Sequence, residues 1–254
     1  MSSLGGPNII TNGLILSLDA ANSKSYQSGS LTWYDKSGYN NHSRFIGSPS
    51  ITGSNTQSSI YFTTGSQYLA VVNDQVVANN QFAWDTTGAL GSSAITAELW
   101  INSTQTVFPA TFLFAKPWNG SGQYNYSFRL LSSNSFRILC QVGSGSFSTD
   151  ITNIPIVDGT WKQINFYLTP TQIGYYINGN QYNGAYTHGI SGSIPSSGNN
   201  ALALTIMTLY PYGGGANPTF SITGSLAGVK YYNRALSATE VLQNYNATKG
   251  RFNL

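Results

Sequence analysis

The chain has 254 residues, with 11 Lys and Arg against 8 Asp and Glu, a net charge of +3 and only 7% charged residues, where an average soluble domain carries roughly 25%. So sparse and scattered a positive charge excludes the basic stripe of a nucleic-acid-binding surface, and no apolar run approaches the ~18 residues of a membrane-spanning helix. With 41% hydrophobic and 13% aromatic residues the chain can fill a sizeable core, in one large all-β domain or two small ones, and it leaves solubility to Ser, Thr, Asn and Gly.

Residues 1–8 read as a flexible arm ahead of a domain over 9–254. They carry no basic n-region and no apolar h-region, so no secretory signal is expected. Leu14, Leu16 and Leu18 alternate, which predicts a first strand over 13–18. Residues 19–43 are loop-rich, with Ser28-Gly29 and Ser37-Gly38 as turn points around a short strand at 31–34. Further strands are expected at 60–62 and 68–72, and residues 73–93 read as a long loop. Ile95, Ala97, Leu99 and Ile101 then face one way while Thr96, Glu98 and Trp100 face the other, a period of two that places one face on a core. Strands at 112–114, 124–131 and 136–142 follow. Cys140, the one cysteine, shares the parity of Phe136, Ile138 and Val142 and reads as an inert core thiol.

The firmest local signal is Trp161–Tyr182. Ile164, Phe166 and Leu168 alternate, then Ile173, Tyr175 and Ile177, and Asn178-Gly179 supplies the two-residue turn of a hairpin. Strands at 201–209, 220–222 and 226–232 bring the count to about a dozen. The series predicts an all-β fold, a two-layer antiparallel sandwich. One helix is expected, over 237–249. Ser237-Ala-Thr-Glu240 forms a capping box, Ala238, Val241, Leu242 and Tyr245 share a face, and Gly250 is placed as a C′ glycine.

Ile95-Thr-Ala-Glu-Leu-Trp-Ile101, Trp161-Lys-Gln-Ile-Asn-Phe166, Tyr176-Ile-Asn-Gly179 and Gly224-Ser-Leu-Ala-Gly-Val-Lys-Tyr-Tyr-Asn-Arg-Ala-Leu-Ser-Ala-Thr-Glu240 occur in the order seen in laminin-G-like domains. The chain resembles these members of the concanavalin A-like lectin/glucanase superfamily over residues 12–252. Asn12–Asn22 together with Trp33-Tyr-Asp-Lys-Ser-Gly-Tyr-Asn-Asn41 is similar to the version found in structural proteins of tailed bacteriophages, cyanophages among them. The resemblance implies a jelly-roll sandwich on a virion surface, as a capsid decoration or a tail or fibre component. The partners it implies are other virion proteins or a second copy of the chain. The alternative it implies is a lectin-type module attaching the particle to host polysaccharide.

The residues themselves limit the chemistry. A glycosidase needs two carboxylates flanking the scissile bond, yet Glu98 has no acid two or five residues away and Glu240 is a helix cap. His42 and His188 lie in turn-like contexts and read as exposed loop residues. Laminin-G-like domains often hold one calcium at a sheet rim, and Asp19, Asp35, Asn40 and Asn41 are the oxygen donors that could meet it; Asp-x-Ser-Gly-x-Asn serves an Asx-type turn equally well. For carbohydrate stacking the candidates are Trp118, Tyr124, Tyr210 and Tyr212, in or beside Gly/Asn/Pro-rich loops. The off-core rings of Trp100 and Tyr176 are expected to meet either the second sheet or a neighbouring molecule, and self-association or docking is expected to run through aromatic rather than charged contact.

Overall fold

The computed structural model describes residues 7–63, 67–71, 82–83, 92–106, 108, 111–117, 124–142, 145–182, 184–191, 204–207 and 222–254. The long alternating apolar runs become strands, joined by shorter ones with no period of their own: β1 (Leu14–Asp19), β2 (Thr32–Trp33), β3 (Ser43–Ile46), β4 (Ser50–Thr52), β5 (Ser59–Phe62), β6 (Tyr68–Val71), β7 (Ile95–Asn102), β8 (Thr111–Pro117) and β9 (Tyr124–Ser132). β10 (Ser135–Val142), β11 (Gly145–Ile151), β12 (Lys162–Leu168), β13 (Gln172–Ile177), β14 (Asn180–Gln181), β15 (Tyr186–Thr187), β16 (Thr205–Ile206) and β17 (Gly224–Tyr232) follow, with one α-helix among the described residues, α1 (Ala238–Thr248). The strands form two antiparallel sheets. The first runs β14-β13-β12-β7-β17-β5-β4, with β1 beside β17 and β15 beside β13; the second runs β11-β10-β9-β8-β16-β6-β3-β2.

The core fills the space between the sheets. Phe128 of β9 stacks on Phe166 of β12 with ring centroids 4.0 Å apart, and Phe136 meets Phe166 and Tyr175 edge-on at 5.3 and 4.8 Å. Each such ring, fully buried, stabilises the fold by about 1.5–3 kcal/mol. Cys140 is fully buried here, and burial pushes its thiol up to about 12. Asn178 and Gly179 both take positive φ (51° and 79°) at the β13–β14 turn, the geometry of a type I′ hairpin.

The outer face of the first sheet positions the site. Register across β1, β17, β7 and β12 lines up Ser17, Lys230, Glu98 and Asn165 in one row and Asp19, Gly228, Trp100 and Gln163 in the next. Part of this face is covered by the chain's own C-terminus. Trp100 is stacked against Phe252 at 4.3 Å and Tyr245 at 5.9 Å, and its indole N–H donates to Thr248 Oγ1 at 3.0 Å. Tyr176 joins Leu14, Tyr167, Tyr232, Leu236 and Val241 in a second apolar cluster. The expectation that these two rings meet a neighbouring molecule is therefore corrected: both are at most 5% exposed within this chain.

The helix differs from its sequence reading in two respects. Its capping box forms as expected, Ser237 Oγ accepting from Glu240 N and Glu240 Oε2 from Ser237 N. Its buried residues, however, are Val241 and Asn244, and Leu242 is exposed. Asn244 is drawn inward by polar partners: its Nδ2 donates to Glu98 Oε2 (3.0 Å) and Tyr232 Oη (2.9 Å), and its Oδ1 accepts from Ile10 N (2.8 Å). Nor does Gly250 end the element; the chain continues as a 3-10 turn over Lys249–Phe252, and the left-handed position is Asn253. Asn8 O accepts from Gln243 Nε2 at 2.7 Å, so the expected arm is already fastened at its last residue.

Candidate ligand cleft beside the Asp35 loop

Asp35 organises the loop between β2 and β3. Its Oδ1 accepts from Ser17 N and Ser37 N, both at 2.8 Å, and its Oδ2 from Ser37 Oγ (2.6 Å) and Asn41 N (3.0 Å). Asn41 Nδ2 donates to Ile15 O at 2.7 Å, Lys36 N to Ser17 O at 2.9 Å, and Asp35 N to His42 Nδ1 at 3.1 Å. Gly38 and Asn40 take the positive φ values, 96° and 58°, that fold the loop back. The result is a knot tied to β1 that leaves Tyr34 and Tyr39 40% and 53% exposed. Tyr34 is steadied edge-on against His42 at 5.2 Å.

Beside this loop lies a cleft of about 280 Å³. Its floor is the outer face of the first sheet: Ser17 and Asp19 from β1, Gly228 and Lys230 from β17, Trp100 from β7. Lys36 and Ser37 form one wall; Ile9 and Thr11 line it from the N-terminal segment, and Thr248 and Arg251 from the C-terminal one. Lys230 Nζ is 2.6 Å from Glu98 Oε1, and Arg251 Nη1 is 3.0 Å from Asp19 Oδ1. Arg251 Nε also donates to Thr56 O at 2.7 Å, which fixes the guanidinium stem. The site thus offers cations, hydroxyls and one aromatic edge in a recess the size of a small ligand.

The calcium candidates are placed, and they do not fit a metal centre. A carboxylate has about four acceptor positions, and protein donors already take four on Asp35. Asp19 Oδ1 accepts from Ala21 N at 2.9 Å and faces Arg251, a cation where calcium would need further oxygens. Asn40 is an exposed residue at the turn apex. Among the described residues no three His, Cys, Asp or Glu side chains gather as a metal set. The Asx-type turn is what these residues build.

Of the stacking candidates, Trp118, Tyr210 and Tyr212 lie outside the described residues, and Tyr124 opens β9, paired with Pro117 of β8. Both glutamates are engaged. Glu98 is 1% exposed and shared between Lys230 and Asn244. Glu240 is gripped by Arg234, whose hydrogen bonds hold its carboxyl down to about 2. His188 corrects its sequence reading: it is 5% exposed, with Nε2 against Thr169 O at 3.1 Å and the ring beside Phe147. Burial lowers its pKa from the ordinary histidine value. Sequence reasoning missed Lys36, Ser37, Lys230 and Arg251 as one group. The Asp35-x-Ser37 spacing could have placed Ser37; nothing in the local pattern announces Arg251.

No curated protein matches the chain in sequence. Many solved structures share its fold, among them the following three. The binding domain of Paraclostridial Mosquitocidal Protein 1 superposes with a TM-score of 0.66 at 15% identity, over 93% of this chain and 52% of that one. The binding domain of Botulinum Neurotoxin DC, in complex with SialylT, gives 0.64 at 14%, over 94% and 52%. Domain 4 of AbnA, a GH43 extracellular arabinanase from Geobacillus stearothermophilus, in complex with arabinotriose, gives 0.61 at 14%, over 91% and 98%. The chain therefore spans about half the length of the two toxin binding domains and nearly all of the arabinanase domain. The family described as the Concanavalin A-like lectin/glucanases superfamily (Laminin_G_3) matches residues 76–242, about two thirds of the sequence, and the two-sheet sandwich is the one its fold requires; the chain belongs to this family.

Proposed function

We propose that the chain is a non-enzymatic, lectin-type binding domain that takes carbohydrate at the cleft beside the Asp35 loop. The observation that carries the reading is the loop itself: four hydrogen bonds to one buried carboxylate fix a segment whose Lys36 and Ser37 wall a hydroxyl-lined recess and whose Tyr34 and Tyr39 are held out to solvent. Rigid exposed rings suit the apolar faces of sugars, because little conformational entropy is lost on binding. The arabinanase domain, solved with arabinotriose, shares the fold over nearly its whole length and supports the reading. The engagement of Glu98 and Glu240 supports the non-catalytic part. We further propose display on a virion, supported by the resemblance of Asn12–Asn22 and Trp33–Asn41 to phage structural proteins.

A glycan array probed with the purified domain tests the binding, alongside mass spectrometry of purified particles. Retention of at least one oligosaccharide, reduced at least tenfold by Tyr39→Ala, is expected. A folded domain that retains none, or a Tyr39→Ala variant that binds as well as the native protein, contradicts the site. Particles lacking its peptides contradict the setting.

A further inference from the structure

We infer that the cleft selects acidic sugars, taking a carboxylate of a uronate-type residue between Lys36 and Lys230; this rests on the carbohydrate-binding reading above. The chain has eleven cationic side chains in 254 residues, and three of them, Lys36, Lys230 and Arg251, line this one recess of about 280 Å³. So sparse a charge makes their convergence informative. The anions that face them are Asp19, which pairs with Arg251, and Glu98, which lies beyond Lys230 in the next strand and pairs with it. One positive charge is left over. It is that of Lys36, which is exposed and has no carboxylate partner among the described residues.

The remaining groups match a carboxylate more closely than a neutral ring. Lys230, which lines the recess, has three N–H donors and spends one on Glu98, which orients its ammonium and leaves donors for a ligand. Thr11 and Ser17 add hydroxyls to the lining. Arg251 Nη2 is buried without an acceptor among the described residues, and a buried unpaired donor is costly. That guanidinium is held by Asp19 and Thr56, so the carboxylate is assigned to the two lysines, with Arg251 adding positive charge beside them. Nothing comparable is on offer to a cation: Asp19 and Glu98 are already neutralised.

Isothermal titration with a tri-uronate oligosaccharide and with its carboxyl-reduced neutral counterpart tests this at 50 mM and 1 M NaCl. The native domain is expected to bind the uronate at least tenfold more tightly at low salt and to lose most of that preference at 1 M, where the Debye length is about 3 Å. Lys36→Gln is expected to abolish the preference and Lys36→Arg to keep it. Arg44→Gln, on β3 of the other sheet, serves as the charge-matched control and is expected to change nothing. Equal affinity for the two oligosaccharides, or a preference intact in Lys36→Gln, overturns the inference while leaving carbohydrate binding standing. Binding of neither oligosaccharide, with no glycan retained on the array, overturns both.

Discussion

Glu98 and Lys230 show how a charge-poor chain uses the charges it has. Glu98 is 1% exposed and Lys230 9%, and the 2.6 Å contact between them is reinforced by Asn244 from the helix. Removing one partner of a buried pair leaves the other charged and unsatisfied, which costs about 3–5 kcal/mol, whereas removing both often costs far less. Glu98→Leu and Lys230→Met are each expected to lower the unfolding free energy by that amount in urea titrations. The double variant is expected to be less destabilised than the sum by at least ~2 kcal/mol; strict additivity would show that the pair is not coupled. The sequence could assign Glu98 to the outer face by parity alone. It could not show that Lys230 lies opposite, because the β7–β17 register joins residues 132 positions apart in the chain.

At the scale of elements, the strongly periodic strands and the helix were legible, and the weak edges were not. β11 was missed because Gly-Ser-Phe-Ser-Thr-Asp-Ile alternates between half-buried and exposed, with polar residues on both parities. It is an edge strand that needs only one partner, β10. β3 and β4 are too short to show a period. Gly250 looked like a helix stop, yet the helix tightens to 3-10 geometry and carries on so that Phe252 can cover Trp100. That cover explains why Trp100, correctly placed off the core, is not docking surface, and the packing of Tyr176 with Tyr167, Tyr232, Leu236 and Val241 does the same for the second ring. The clip begins at Ser237, where loss of the cap in Ser237→Ala should cost about 0.5–2 kcal/mol. Glu240 adds a pH dependence to the same cap. Its carboxyl sits near 2 in the folded protein against an ordinary 4.5, chiefly because Arg234 hydrogen-bonds it. Its stabilisation is therefore complete above pH 4.5 and lost as pH falls toward 2. Amide exchange of α1 should show the gap between native and Glu240→Gln proteins closing over that window. A gap that stays constant from pH 5 to pH 2 would mean the carboxylate is not the stabilising group.

For the whole molecule, the two-layer sandwich followed from alternation and turn spacing, and the family assignment agrees with it. The proposed cleft did not follow from either. Exposed rings in glycine-rich loops drew the sequence reading to Trp118, Tyr124, Tyr210 and Tyr212. The recess proposed above is assembled from β1, β17, the Asp35 loop and the last turn of the chain, elements that meet only through long-range pairing. Two-dimensional amide NMR of the isotopically labelled domain, titrated with an oligosaccharide that it retains, tests this placement most directly. The account predicts shift changes concentrated at Ser17, Lys36, Ser37, Gly228 and Arg251, together with Tyr39. Changes confined to residues 118–124 and 210–216, with the cleft amides unmoved, would contradict it.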